Sequence, residues 1–153
     1  MARARERLFT IEDWLAYEGE PDTRYELIDG QLVPMNPPKM WHGTIANEIG
    51  RLCSQALQDR FPCRALQGTG FEIRRQPGAK AYVPDIVVTC EHIDENRETV
   101  REPRLVIEVI STSTGRYDRI GKLPDYQLLP SVQEIWLVIS EHRLVLQTVR
   151  EAG

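Results

Sequence analysis

Two carboxylates lie where an ordinary strand would carry none. Glu108 interrupts the run Leu105, Val106, Ile107, Val109, Ile110, the composition of a strand buried on both faces. Asp85 stands in the same predicament inside AYVPDIVVTC at 81–90. An unpaired charge in apolar surroundings costs several kcal/mol or more, so Glu108 must be protonated, paired or bound to a cation. Two acids in neighbouring extended stretches invite one explanation. Oxygen-rich sets of Asp and Glu bind hard divalent cations, Mg²⁺ at about 2.0–2.1 Å with several waters retained, and one cation relieves both acids together. A metal so held lowers the pKa of bound water and stabilises charge building on a phosphodiester, as nuclease chemistry requires.

Each acid also has a plainer reading. Asp85 can be a turn or capping aspartate after Pro84. Glu108 can form a buried ion pair with an arginine such as Arg74 or Arg104. The metal reading is preferred because apolar residues on both sides of Glu108 leave few other reasons for it. Side chains alternate along a strand, so Ile110 shares the face of Glu108 and occupies the place where a lysine would orient water. The nearest lysine downstream is Lys122, on one helical face with Asp118 and Tyr126; the same spacing also makes Asp118 and Lys122 an ordinary surface pair. Tyr126 reads as a packing aromatic. His42, opening a helix, is able to transfer protons but reads as a satisfied helix-terminal residue. Arg74-Arg75, Lys80 and Arg116-Arg119-Lys122 could grip phosphates, although each alone reads as a surface residue. There is no aromatic stacking pattern, zinc finger or recognition-helix signature to support base-specific readout.

The elements that must position these groups are legible in outline. Thr10 followed by Asp13 predicts a capped short helix through about Tyr17. RYELI and QLVPM flank Asp29-Gly30, a hairpin turn whose two residues accept positive φ. From His42 to Phe61, the residues Ile45, Ile49, Leu52, Cys53, Ala56, Leu57 and Phe61 follow helical spacing. Extended stretches follow at 71–75, 81–90 and 104–111, with Pro84 favouring a bulge or edge. Residues 113–129 read as a helix that Pro124 kinks or begins. EIWLVIS and RLVLQTV close the chain as a hairpin around Glu141-His142. This order implies a mixed sheet with helices packed against it, α/β or α+β.

A chain of 153 residues suits a single domain, 1–153, with one core. The formal net charge of -4 opposes general affinity for polyanions, so nucleic-acid contact requires local basic patches. Cys53, Cys63 and Cys90 form no CxxC pair and leave one unmatched; neither a disulfide framework nor a zinc knuckle is expected, and a cytoplasmic setting fits. No apolar segment follows the basic MARARERLFT, and no run of about 18 apolar residues occurs, so a soluble, unsecreted protein with no membrane partner is expected.

In combination, VPD at 83–85, EVIS at 108–111, STSTGRYD at 111–118, Lys122 and Tyr126 resemble the Uma-type endonucleases of the restriction-endonuclease-like PD-(D/E)XK superfamily. RYELIDGQLVPM, His42-Gly43 and VQEIWLVI are similar to the same family's flanking pieces, so the resemblance runs from about Thr10 to Val149. It implies a four-stranded mixed core sheet flanked by helices, with Mg²⁺ or Mn²⁺ held by Asp85 and Glu108. It also implies that the lysine has moved from the strand to the following helix as Lys122, and that Glu26 is a further acid of the site. The sequence departs from the family at Thr112, where a proline is usual after EVxS, and at Pro124 in the helix that presents Lys122. The implied activity is metal-dependent hydrolysis of DNA by an endonuclease, and a homodimer of such a domain would cut two strands. The alternatives are an inactive module of the same fold that binds nucleic acid or protein, and a hydrolase of another phosphoester.

Overall fold

The computed structural model describes residues 8–74, 78–110 and 116–151. Arg75, Thr112 and the first part of STSTGRYD lie outside the described residues, as do the side chains of Arg116, Asp118 and Arg119. In chain order the elements are α1 (Ile11–Leu15), β1 (Tyr25–Ile28), β2 (Gln31–Pro34), α2 (Met40–Ala56), β3 (Arg64–Gln67), β4 (Gly70–Ile73), β5 (Lys80–Tyr82), β6 (Ile86–Thr89), β7 (Thr99–Val100), β8 (Pro103–Ile110), α3 (Arg116–Gln127), β9 (Glu134–Ile139) and β10 (Leu144–Val149). No helix among the described residues is long and apolar enough to cross a membrane.

The chain forms two compact units, the first made of Met1–Pro37 and Glu72–Tyr82. In it the expected capping box closes α1: Thr10 Oγ1 accepts the Asp13 N–H at 3.0 Å and the Asp13 carboxylate accepts the Thr10 N–H at 2.9 Å. The expected hairpin forms too, with Asp29 at φ 51° and Gly30 at φ 78° joining β1 to β2. β5 pairs with the other edge of β1, and Ile11, Leu27 and Ala81 make the local core. Arg74 binds Glu12 at 2.7 Å and Glu72 at 2.8 Å, which lowers the Glu12 carboxyl below its usual range through the hydrogen bond from the guanidinium. Lys80 lies 3.4 Å from Asp29. Two of the basic residues considered for phosphate contact are therefore engaged in ion pairs.

The second unit comprises Pro38–Phe71 and Val83–Gly153. Its sheet runs β10-β9-β8-β6-β3, with β8 and β9 parallel and the other pairs antiparallel: a mixed, five-stranded sheet. Strand alternation divides β8 between two apolar layers. Ile107 and Val109 pack with Ile86 and Val138 against Ala46, Ile45 and Ile49 of α2. Ile110 packs with Leu137 and Ile139 against Leu123 of α3. The sheet is thus covered by α2 and α3, the α+β arrangement expected from the order of elements.

Three boundaries differ from the sequence reading. The stretch 81–90 is two strands, since β5 ends at Tyr82 and β6 begins at Ile86 beyond Pro84. The long helix starts at Met40 and stops at Ala56, five residues short of Phe61. α3 starts at Arg116 and continues through Pro124, which neither begins nor ends it. Pro124 removes a helical donor, but Leu123 and Tyr126 anchor the same turn in the core.

The cysteine reading is corrected outright. Cys63 and Cys90 form a disulfide. Each lies just beyond the paired residues Arg64 and Thr89 of β3 and β6, so sheet register unites two positions 27 residues apart. Cys53 stays free, and burial pushes its thiol up, which leaves little thiolate. Closing a loop of this length stabilises a fold by about 3–4 kcal/mol in the chain-entropy account. Cys63→Ser, or reduction of the wild type, should lower the denaturant midpoint accordingly; a midpoint indifferent to reductant would contradict this.

Candidate active site

The site is built where β6 stops short of β8. Pro84 has no N–H to give a ladder and holds Val83 extended, so β6 begins only at Ile86, paired with Ile107, while β8 continues to Ile110. The Asp85 carboxylate takes over the unclaimed edge. Its Oδ2 accepts the Val109 N–H at 2.7 Å, and its Oδ1 lies 2.7 Å from His42 Nε2. His42 belongs to the first turn of α2, and the two side chains are each 17% exposed. The β6–β8 pairing ends at Ile86 and Ile107, and Asp85 meets β8 through the N–H of Val109, the residue after Glu108; it also contacts His42 of α2, whereas Glu108 faces Tyr126 of α3.

Glu108 is 1% exposed. Its Oε1 accepts a hydrogen bond from the Tyr126 hydroxyl at 2.6 Å. Tyr126 is itself fully buried and meets Phe71 edge to face, with ring centroids 5.2 Å apart. Lys122, half-buried, lies one turn before Tyr126 on the same face of α3. The helix that touches Glu108 through Tyr126 therefore carries the lysine on that side. Of the arginines considered as partners of Glu108, Arg74 binds Glu12 and Glu72, and Arg104 is exposed at the start of β8.

The structure thus brings Asp85 and Glu108 to one stretch of β8 and orients α3 with Lys122 on the Glu108 side. Glu26 is a buried residue of β1 in the first unit, 4% exposed, opposite Val33. Among the described residues, no three or more His, Cys, Asp or Glu side chains are grouped to hold a metal. The donor set still suits Mg²⁺ or Mn²⁺, because a hard cation of this kind is commonly bound through one or two carboxylates and keeps several waters.

Two residues have larger parts than the sequence suggested. His42 lies 43 positions from Asp85, and no local pattern connects them. The available signals were its place at the start of the most regular helix and the likeness of His42-Gly43 to a flanking piece of the family. Tyr126 packs, as read, and also donates to Glu108; its spacing from Lys122 was the available sign.

The family model described as Uma2, "Putative restriction endonuclease", matches residues 11–152. Two proteins of Synechocystis sp. (strain ATCC 27184 / PCC 6803 / Kazusa), both described as uncharacterized, are similar over most of the chain. The first, slr1290, is 31% identical over 84% of this chain and 67% of its own length. The second, sll1609, is 24% identical over 90% of this chain and 78% of its own length. A crystal structure from Anabaena variabilis ATCC 29413, described as "a putative nuclease belonging to DUF820", superposes with a TM-score of 0.77 at 19% identity, over 95% of this chain and 82% of that one. It shares the fold.

Proposed function

Because the chain belongs to the Uma2 family, we propose that it is a metal-dependent endonuclease that hydrolyses phosphodiester bonds of DNA, with Mg²⁺ or Mn²⁺ held by Asp85 and Glu108. The observation that carries this reading is Glu108, 1% exposed in an apolar strand, with the Asp85 carboxylate on the N–H of the next residue, Val109. A divalent cation bound there supplies an acidified water and neutralises charge on the phosphate. The chain's own groups hold the carboxylates in place. Tyr126 fixes Glu108 Oε1, while the Val109 N–H and His42 engage one Asp85 oxygen each. The Lys122 ammonium positions the attacking water or stabilises the negative charge that grows on the phosphate. Glu26 enters as the further acid on the strength of the family resemblance. A homodimer belongs to the same reading, whereas the Cys63–Cys90 disulfide removes the ground on which a cytoplasmic setting was expected.

The test is cleavage of plasmid and single-stranded DNA by the purified protein, with calorimetric titration of Mn²⁺. Cleavage is expected with Mg²⁺ or Mn²⁺ and none with EDTA; cleavage that persists in EDTA would overturn the metal assignment. A second reading, an inactive module of the same fold, draws on the protein partners that Asp85 already has for both oxygens. Absence of both Mn²⁺ heat and cleavage would favour it.

A further inference from the structure

Immediately before His42, the first turn of α2 presents Met40 at 92% exposure and Trp41 at 66%. An indole is the most costly side chain to leave in water, and this one is joined by a single peptide bond to the residue whose ring lies 2.7 Å from Asp85. Lys39 precedes the turn as its N-cap residue and no acid occurs within it, so the turn itself adds no negative charge beside a phosphate strand. An exposed aromatic face beside that site suits the face of a nucleobase on the strand whose phosphodiester would occupy it. A base inside a duplex has both faces covered by its neighbours and offers none to an indole; an unpaired base does.

We propose that Trp41 is a stacking platform for an unpaired nucleobase beside the scissile phosphodiester, which makes single-stranded DNA, or DNA with an unpaired nucleotide, the preferred substrate. This rests on the nuclease reading and adds the substrate form to it. Met40 supplies a second apolar contact on the same turn.

The test is binding of the full chain, in EDTA, to a fluorescein-labelled single-stranded oligonucleotide and to the blunt duplex of the same sequence, followed by anisotropy. An internal 2-aminopurine reports stacking by quenching. The wild type should bind the single strand more tightly than the duplex and quench the probe. Trp41→Ala should weaken single-strand binding about 5- to 100-fold, the range expected for loss of one aromatic–base stack. It should also relieve quenching, leaving the weak duplex binding and the far-ultraviolet circular dichroism unchanged. Trp41→Phe should recover most of the affinity. Equal single-strand affinity for Trp41→Ala and wild type overturns the proposal, as does sedimentation showing a wild-type dimer that Trp41→Ala dissolves, which would give Trp41 to a copy interface. Because binding is read without metal, absence of cleavage in every protein would remove the nuclease reading alone, and intact cleavage with unaltered binding would remove the stacking reading alone.

Discussion

Glu108→Gln is expected to reduce metal-supported DNA cleavage by about a thousandfold or more and to abolish the heat of Mn²⁺ binding, while leaving the metal-free protein at least as stable as the wild type. The loss follows from removing a charge that, in the proposed reading, holds the cation, an electrostatic contribution of several kcal/mol at about 1.36 kcal/mol per factor of ten. The stability result follows from burial. Glutamine keeps the volume and an acceptor oxygen for the Tyr126 hydroxyl, so the packing around a side chain that is 1% exposed is preserved. In calorimetry the wild type should therefore gain about 2.7 kcal/mol at a metal concentration of about 100 times Kd, and Glu108→Gln nothing. Asp85→Ala should lose activity to the same extent but for a second reason as well. It strands the Val109 N–H that Oδ2 now accepts, at a cost of about 1–3 kcal/mol if water cannot replace it. Cleavage that survives both substitutions would end the assignment of these acids.

Tyr126→Phe separates the two tasks of the tyrosine. The ring stays against Phe71, but the hydroxyl that fixes Glu108 Oε1 is gone. Leaving a buried carboxylate without that donor should lower stability by about 1–3 kcal/mol. Loosening an outer partner of a metal ligand should weaken Mn²⁺ affinity about 10- to 100-fold. Tyr126→Ala, which also empties the space of the ring, should cost about 3–5 kcal/mol by analogy with other large-to-small aromatic substitutions. The cycle with Glu108→Gln identifies the contact responsible: Tyr126→Phe should do less harm in that background than in the wild type. Wild-type stability and Mn²⁺ affinity in Tyr126→Phe would show that the hydroxyl does not position the carboxylate.

Much of the scaffold was legible because its signals are local. The Thr10–Asp13 box, the Asp29-Gly30 turn, the helical spacing from Ile45 to Leu57 and the closing hairpin are each decided by residues a few positions apart. The same holds for the misplaced acid at Glu108, which one apolar octet is enough to reveal. The short strands β3 and β7 escaped notice, since two to four residues carry no periodicity and take their extended form from the partner they pair with.

By itself, the sequence determined the class of fold, the family, and two acids set within apolar stretches, because composition and near-neighbour patterns encode these. Only the tertiary structure decided that β6 would leave the end of β8 open, that Asp85 would fill that edge and reach His42 across 43 residues, that Tyr126 would clasp Glu108, and that Cys63 would meet Cys90. Each is a contact between distant segments, set by strand register and helix packing, and no window of neighbouring residues contains both partners.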